Sequence, residues 1–245
     1  MTALDDGPYS QALASFGKSC RPRAVVVISG HWEDSGPVRV SSSEAPPMIY
    51  DFSGFPPQLY AVHYPAPGDP ALAGRIVRTL NSAGIAAVPD PGRGFDHGTW
   101  VPMRLIYPQA DIPVVQVSLP RPRTPASLFA LGEALAPLRE DNIMILGSGG
   151  ITHNLFMQRP AGNGPPQAWA VGFDEWVERA LATRDHETLF RYAQLAPYAR
   201  QAVPTTEHFD PLFVALGSAG KYSVETIYEG FQMSHFSLRS FALVS

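Results

Sequence analysis

Ala24-Val25-Val26-Val27-Ile28-Ser29-Gly30-His31-Trp32-Glu33 is the stretch that decides the fold. Its first five residues are apolar, mostly β-branched and without alternation, the pattern of a strand buried on both faces as in a parallel sheet. Gly30 then leads to His31, just past the strand's expected end. A second stretch repeats the device. In Asn142-Ile143-Met144-Ile145-Leu146-Gly147-Ser148-Gly149-Gly150-Ile151-Thr152-His153-Asn154 an apolar run reads as a buried strand, and the Gly-Ser-Gly-Gly after it cannot continue one. Glycine permits close approach to the backbone, so an imidazole delivered just after it belongs more naturally at a cleft rim than in a core. A lone histidine so placed is usually structural. Its company argues otherwise.

Outward from these two strands, helix and strand signals alternate. Tyr9 to Gly17 carries a short apolar stripe, and Pro37 to Ser42 alternates like an edge strand. Asp69 caps a helix that starts at Pro70, with Leu72, Ile76, Val77 and Leu80 on one face and Gly84 as its stop. Ile85 to Val88 reads as a short strand, Val101 to Tyr107 as a helix, and Ile112 to Leu119 as a strand. Thr124 caps a further helix with Leu128, Leu131, Leu135 and Leu138 inward. Trp169 to Thr183 and Glu187 to Leu195 read as helices, Ser223 to Tyr228 and Phe236 to Leu243 as closing strands. The expectation is an α/β fold, a single domain over residues 1–245 with a mostly parallel central sheet flanked by helices. Between Glu44 and Asp69 lies a long loop dense in Pro, Gly and aromatic residues, either a pocket wall or an aromatic patch over the core.

Composition narrows the function. Cys20 is the one cysteine, which excludes an intrachain disulfide and a thiolate-based metal cluster. Any metal must be held by imidazole, carboxylate or water. A net charge of -4 with 16% charged residues argues against a nucleic-acid surface. No apolar run approaches the roughly 20 residues of a membrane span, and the first residues carry no signal-peptide core, so a soluble, cytoplasmic protein is expected. The chain lacks HExxH, P-loop, GxSxG and GxGxxG signatures.

What remains is histidine. His31, His97, His153 and His208 each stand beside glycine or a carboxylate, and ligands of parallel sheets bind outside the carboxyl ends of strands. Asp96 adjoins His97 and could orient its ring. Neutral imidazoles with an open position are the pattern of non-heme Fe(II) oxygenases and of hydrolytic zinc enzymes, and spacing alone leaves both open. His63, His186 and His235 are read as structural or solvated. Arg93, Arg121 and Arg123 are candidates to meet a carboxylate.

The motifs Ser29-Gly30-His31-Trp32, Ile49-Tyr50-Asp51-Phe52-Ser53-Gly54-Phe55-Pro56, Tyr64-Pro65-Ala66-Pro67-Gly68, Asp96-His97-Gly98-Thr99-Trp100-Val101-Pro102, Gly147-Ser148-Gly149 with Thr152-His153-Asn154-Leu155, and Glu207-His208 keep one order along nearly the whole chain. Together they resemble the DOPA-type, class III extradiol ring-cleavage dioxygenases, relatives of protocatechuate 4,5-dioxygenase. The resemblance implies Fe(II) for activity, with Zn(II) as an alternative occupant, a small aromatic diol and O2 as partners, and ring opening beside the two hydroxyls. It implies His31 and His208 as metal ligands, His153 as both ligand and acid-base residue, and His97 as a second catalytic imidazole. Histidine suits the proton traffic, because its ordinary pKa of about 6.5 lets one side chain accept a proton and return it near neutrality.

In that family a first strand ends in His-Gly-Ser-Pro, whose histidine is a ligand, and Met1 stands where the next residue would be. Either Met1 is an internal methionine, the reading expected here, or this branch has dropped the ligand. Glu207 is then a candidate replacement. Two alternatives to the dioxygenase stand beside it, a zinc-dependent hydrolase and a non-catalytic binding protein with a degenerate metal site; homo-oligomerisation is left open.

Overall fold

The computed structural model describes residues 2–4, 6–157 and 164–244, so the status of Met1 lies outside the described residues. Helix α1 (Pro8–Ser19) precedes strand β1 (Ala24–Asp34), which is longer than expected and carries His31 within it. Then come β2 (Val38–Ser41), α2 (Pro57–Tyr60), α3 (Pro70–Ser82), β3 (Ala87–Asp90), α4 (His97–Ile106), β4 (Val114–Pro120), α5 (Pro125–Leu135) and β5 (Ile143–Ser148). These strands form one sheet in the order β3-β2-β4-β1-β5. β1 runs parallel to β4 and β5, and β2 parallel to β3; the Val40–Val117 contact between β2 and β4 is antiparallel. The fold is therefore the single α/β domain with a mostly parallel sheet that the strand patterns implied.

β1 is buried on both faces for the reason its sequence announced. Ala24, Val26 and Ile28 join the core built with α3, α5, α6 (Ala168–Thr183) and α10 (Pro211–Ala219), while Val25 and Val27 join the opposite core with α1 and α4. All five are 0% exposed. Burial of each of the four β-branched side chains is worth on the order of 1.5–3 kcal/mol, so the strand that carries His31 is firmly seated. The flanking helices are fixed by their caps. Asp69 accepts the Leu72 N–H at 2.8 Å, and Thr124 and Ser127 form a reciprocal capping box.

Some expectations change. β2 is not an edge strand but lies between β3 and β4, because alternation reports which face is buried and says nothing of the hydrogen-bonding edges. The helix expected over 187–195 is divided at Arg191 into α7 (His186–Phe190) and α8 (Tyr192–Leu195), which lets Leu189 and Tyr192 both reach the core; α9 (Ala199–Ala202) follows. The closing strands do not extend the sheet. β6 (Ser223–Tyr228) pairs with β9 (Ser240–Val244), and β7 (Phe231–Gln232) with β8 (Phe236–Ser237), as two antiparallel ribbons. β6 is half-exposed and could not sit in a sheet covered on both faces.

The outer edge of β5 has no partner strand among the described residues and borders a cleft of about 740 Å³ lined by Leu13, Phe16, Leu212 and Phe241. No helix among the described residues is long and apolar enough to cross a membrane.

Candidate metal centre

β5 ends at Ser148, opposite Ser29, and β1 runs on past it to Asp34. Beyond them the backbone is crowded. A Cβ at Gly149 would overlap the His208 carbonyl oxygen, and one at Gly30 would come within 2.7 Å of the Glu207 carbonyl, so only glycine lets the Glu207-His208 turn descend onto β1 and the residue after β5. Gly150 N–H donates to the His208 carbonyl at 2.8 Å, and His153 N–H to the Ala202 carbonyl at 2.9 Å. His97 enters as the first residue of α4, a helix that begins earlier than its apolar residues indicated because Asp96 caps it.

Four imidazoles are thereby brought together from segments spread over the chain. The rings of His31 and His97 are 4.0 Å apart between centroids, those of His31 and His208 4.9 Å, and His153 stacks on His208 at 3.6 Å. One carboxylate serves two of them. Asp51 sits 3.1 Å from His31 Nδ1 and 2.7 Å from His97 Nδ1, and it also accepts the His97 backbone N–H at 3.0 Å. On the far side, Glu207 lies 3.1 Å from His208 Nδ1 and accepts the Thr205 hydroxyl at 2.8 Å. An ionised carboxylate can only accept, so these contacts place the proton on Nδ1 of all three rings and leave each Nε2 with a lone pair.

Two of those lone pairs face each other. His31 Nε2 and His208 Nε2 are 3.2 Å apart. Neutral rings in these tautomers repel at that distance unless a cation or a shared proton lies between them. Bond lengths of about 2.0–2.1 Å from a metal to imidazole nitrogen correspond to nitrogen–nitrogen separations of roughly 3.0–3.4 Å, so the pair fits a metal ion. His31, Asp51 and His97 also offer ligand atoms within 4.8 Å of one another. There, however, the carboxylate oxygens already accept from the ring nitrogens.

Electrostatics keep His153 neutral. Burial, reinforced by neighbouring His208, pulls the pKa of His153 down to about 3. The hydrogen bond from His208 leads the causes that hold Glu207 at about 2. Burial would raise the Asp51 carboxyl, but hydrogen bonds from His31 and His97 outweigh it and keep the group well below the usual carboxylate range. Phe52 meets His97 edge-on at 5.5 Å and Phe236 stands 5.3 Å from His153, so aromatic rings flank the imidazoles.

The remaining candidates fall elsewhere. Glu207 backs His208 Nδ1 instead of facing His31. Arg93 pairs with Asp96, Arg121 with Glu33, and Arg123 with Glu33 and Asp210, all of them protein carboxylates. His63 is exposed. His186 is only partly solvated; it lies 2.9 Å from the Tyr222 hydroxyl and packs on Phe129. His235 is fully buried, with Nε2 3.2 Å from the Asn154 carbonyl, and so steadies the segment that bears His153. Asp51 stands inside one of the quoted motifs, but motif reading gave it no role. Its only local sign is a lone carboxylate inside an aromatic loop.

Residues 7–243 match the family model described as the catalytic LigB subunit of aromatic ring-opening dioxygenase. A relative from Beta vulgaris named 4,5-DOPA dioxygenase extradiol is 41% identical, over 98% of this chain and 92% of its own length. One of the same name from Escherichia coli K12 is 38% identical, over 98% of this chain and 89% of its own. A crystal structure of an Escherichia coli K12 protein described as uncharacterized superposes with a TM-score of 0.83 at 34% identity, covering 99% of this chain and 94% of that one. With a family match spanning almost its full length, this chain belongs to the LigB family of aromatic ring-opening dioxygenases.

Proposed function

We propose that this protein is a non-heme, metal-dependent extradiol dioxygenase that opens the ring of a small catechol with O2. The observation that carries the reading is the pair of Nε2 atoms of His31 and His208, 3.2 Å apart, with each Nδ1 committed to a carboxylate. His31 and His208 would hold the metal, joined by His153 only while no substrate is bound. Fe(II) in that place supplies Lewis acidity toward the catechol oxygens and the one-electron chemistry that O2 requires.

The rest is the work of the chain. Asp51 and Glu207 fix the tautomers of His31 and His208, so both rings present lone pairs without rearrangement. His153 enters as a neutral ring and is competent to take a proton from a catechol hydroxyl. His97, its Nδ1 held by Asp51, keeps Nε2 free to accept or return a second. Phe52 and Phe236 offer aromatic surfaces for a flat substrate. Because relatives carry the name 4,5-DOPA dioxygenase, a catechol bearing an amino-acid side chain is the first substrate to try. A cytoplasmic setting suits a protein whose one cysteine is free.

The test is to load the purified protein anaerobically with Fe(II), add DOPA or another catechol, and admit air. A yellow ring-opened product with matching O2 uptake, abolished in His31→Ala and His208→Ala, is expected. Absence of any ring-opened product from all catechols tried, together with ester hydrolysis in the Zn(II) form, would replace this reading with the hydrolase.

A further inference from the structure

Asp96 is 0% exposed and is not among the hydrogen-bond partners of any imidazole ring of the centre, although it precedes His97 in sequence. We propose that Asp96 is a positioning residue: it sets the backbones of His31 and His97 against each other, through Ser29 on one side and the first turn of α4 on the other. The inference rests on the reading above that His31 is a metal ligand.

Its carboxylate accepts four hydrogen bonds. Oδ1 takes the Ser29 hydroxyl at 2.7 Å and the Thr99 N–H at 3.1 Å, and Oδ2 takes Arg93 at 2.5 Å and the Gln116 side-chain amide at 2.7 Å. Ser29 Oγ in turn accepts the His31 N–H at 3.1 Å, and Arg93 reaches the His31 carbonyl at 3.5 Å. Both backbone polar groups of His31 therefore lead to one carboxylate. On the other side Asp96 is the cap of α4, whose first residue is His97. The two sides touch directly. A Cβ at Gly98 would collide with Ser29 Oγ and approach His31 Cδ2 to 3.1 Å, so the start of α4 rests directly on β1. Ser148, opposite Ser29 in the sheet, donates to the Gly98 carbonyl and holds the same turn from β5.

Only an acceptor-only group satisfies this arrangement. Asparagine could still cap α4 and accept from Ser29 with its one oxygen, but its amide would meet the donors of Arg93 and Gln116. A buried carboxylate is costly unless paired, and this one is paired where β1, β4 and α4 converge beneath the imidazoles.

The experiment compares the full chain with Ser29→Ala, Asp96→Asn, the double variant, His31→Ala, and Leu135→Ala as a control in the α5 core. Each is measured for Zn(II) affinity by chelator competition and for its urea midpoint. Ser29→Ala removes only the link to the His31 N–H and leaves the Thr99, Arg93 and Gln116 bonds of Asp96, and the Arg93 contact with the His31 carbonyl, in place. Ser29→Ala and Asp96→Asn are each expected to weaken Zn(II) binding about 10-fold, the low end for groups behind a metal ligand. The double variant should be no weaker than the weaker single one, since both act along one path. Leu135→Ala should lower the midpoint and leave affinity unchanged. Affinities of both variants equal to the parent, or reduced only as far as lost stability reduces it in Leu135→Ala, overturn the inference. Should Asp96→Asn fail to fold, Ser29→Ala alone decides. A parent that binds no Zn(II), or a His31→Ala variant that binds it equally well, removes the metal reading and this inference with it.

Discussion

Replacing Asp51 by asparagine strikes the group that His31 and His97 share. Aspartate accepts from His31 Nδ1 at 3.1 Å, from His97 Nδ1 at 2.7 Å and from the His97 N–H at 3.0 Å. Asparagine can keep its oxygen toward His97, where two donors meet it, but its amide then faces His31 Nδ1. To accept from that amide, His31 must move its proton to Nε2, the atom 3.2 Å from His208 Nε2, and the lone pair offered to a metal is lost. A hydrogen bond to a charged group is worth about 1.5–3 kcal/mol, which is roughly 10- to 150-fold in an equilibrium constant. Because the His31 and Asp51 side chains are each 24% exposed, solvent screens the pair and the lower part of that range applies. Asp51→Asn is therefore expected to bind Zn(II) roughly 10- to 30-fold more weakly than the parent in chelator-buffered titration, with far-UV circular dichroism unchanged. Equal affinity in a folded Asp51→Asn protein would show that Asp51 does not set the His31 tautomer.

Gly149→Ala forces a methyl group onto the His208 carbonyl, and overpacking of this kind costs about 1–3 kcal/mol, so its urea midpoint should fall; an unchanged midpoint would mean the turn yields freely. In the metal-free protein, His153 has a folded pKa of about 3 against an ordinary 6.5, so the unfolded chain binds the extra proton. Its contribution to stability is full above about pH 6.5 and is lost as pH falls toward 3. Glu207, held near 2 against an ordinary 4.5, contributes fully above about 4.5 and loses that contribution as pH falls toward 2. Unfolding free energy should thus decline steadily with acid, and His153→Gln should flatten the upper part of the decline; a His153→Gln profile parallel to the parent's would contradict this. Phe52→Ala removes an edge-on aromatic contact beside His97. A contact worth about 0.5–1.5 kcal/mol predicts KM raised roughly 2- to 12-fold with kcat nearly kept, and a loss confined to kcat would instead make Phe52 part of the chemistry.

Much of this molecule is written locally. The unalternated run Ala24 to Ile28 announces a strand with two covered faces, and Asp69-Pro70 and Thr124-Pro125 announce two helix starts, because strand burial and capping depend on residues within a turn or two of one another. Gly30 before His31 and Gly149 just after β5 mark places where backbone must pass close to backbone, and the structure puts the Glu207-His208 turn there.

Choice of partner is another matter. Sequence adjacency offers Asp96 as the orienting carboxylate of His97, yet that role falls to Asp51, 46 residues earlier, while Asp96 turns inward to Ser29, Arg93 and Gln116. His235 shows no motif and is nonetheless buried against the segment of His153. β2 alternates like an edge and lies inside the sheet. Pattern and capping thus establish which segments are strands and helices, though His31, expected past the end of its strand, lies within β1. Which carboxylate faces which ring, and which ring nitrogen faces another, is decided only when segments far apart in the chain share one cleft, since hydrogen bonds follow distance in space and not separation in sequence.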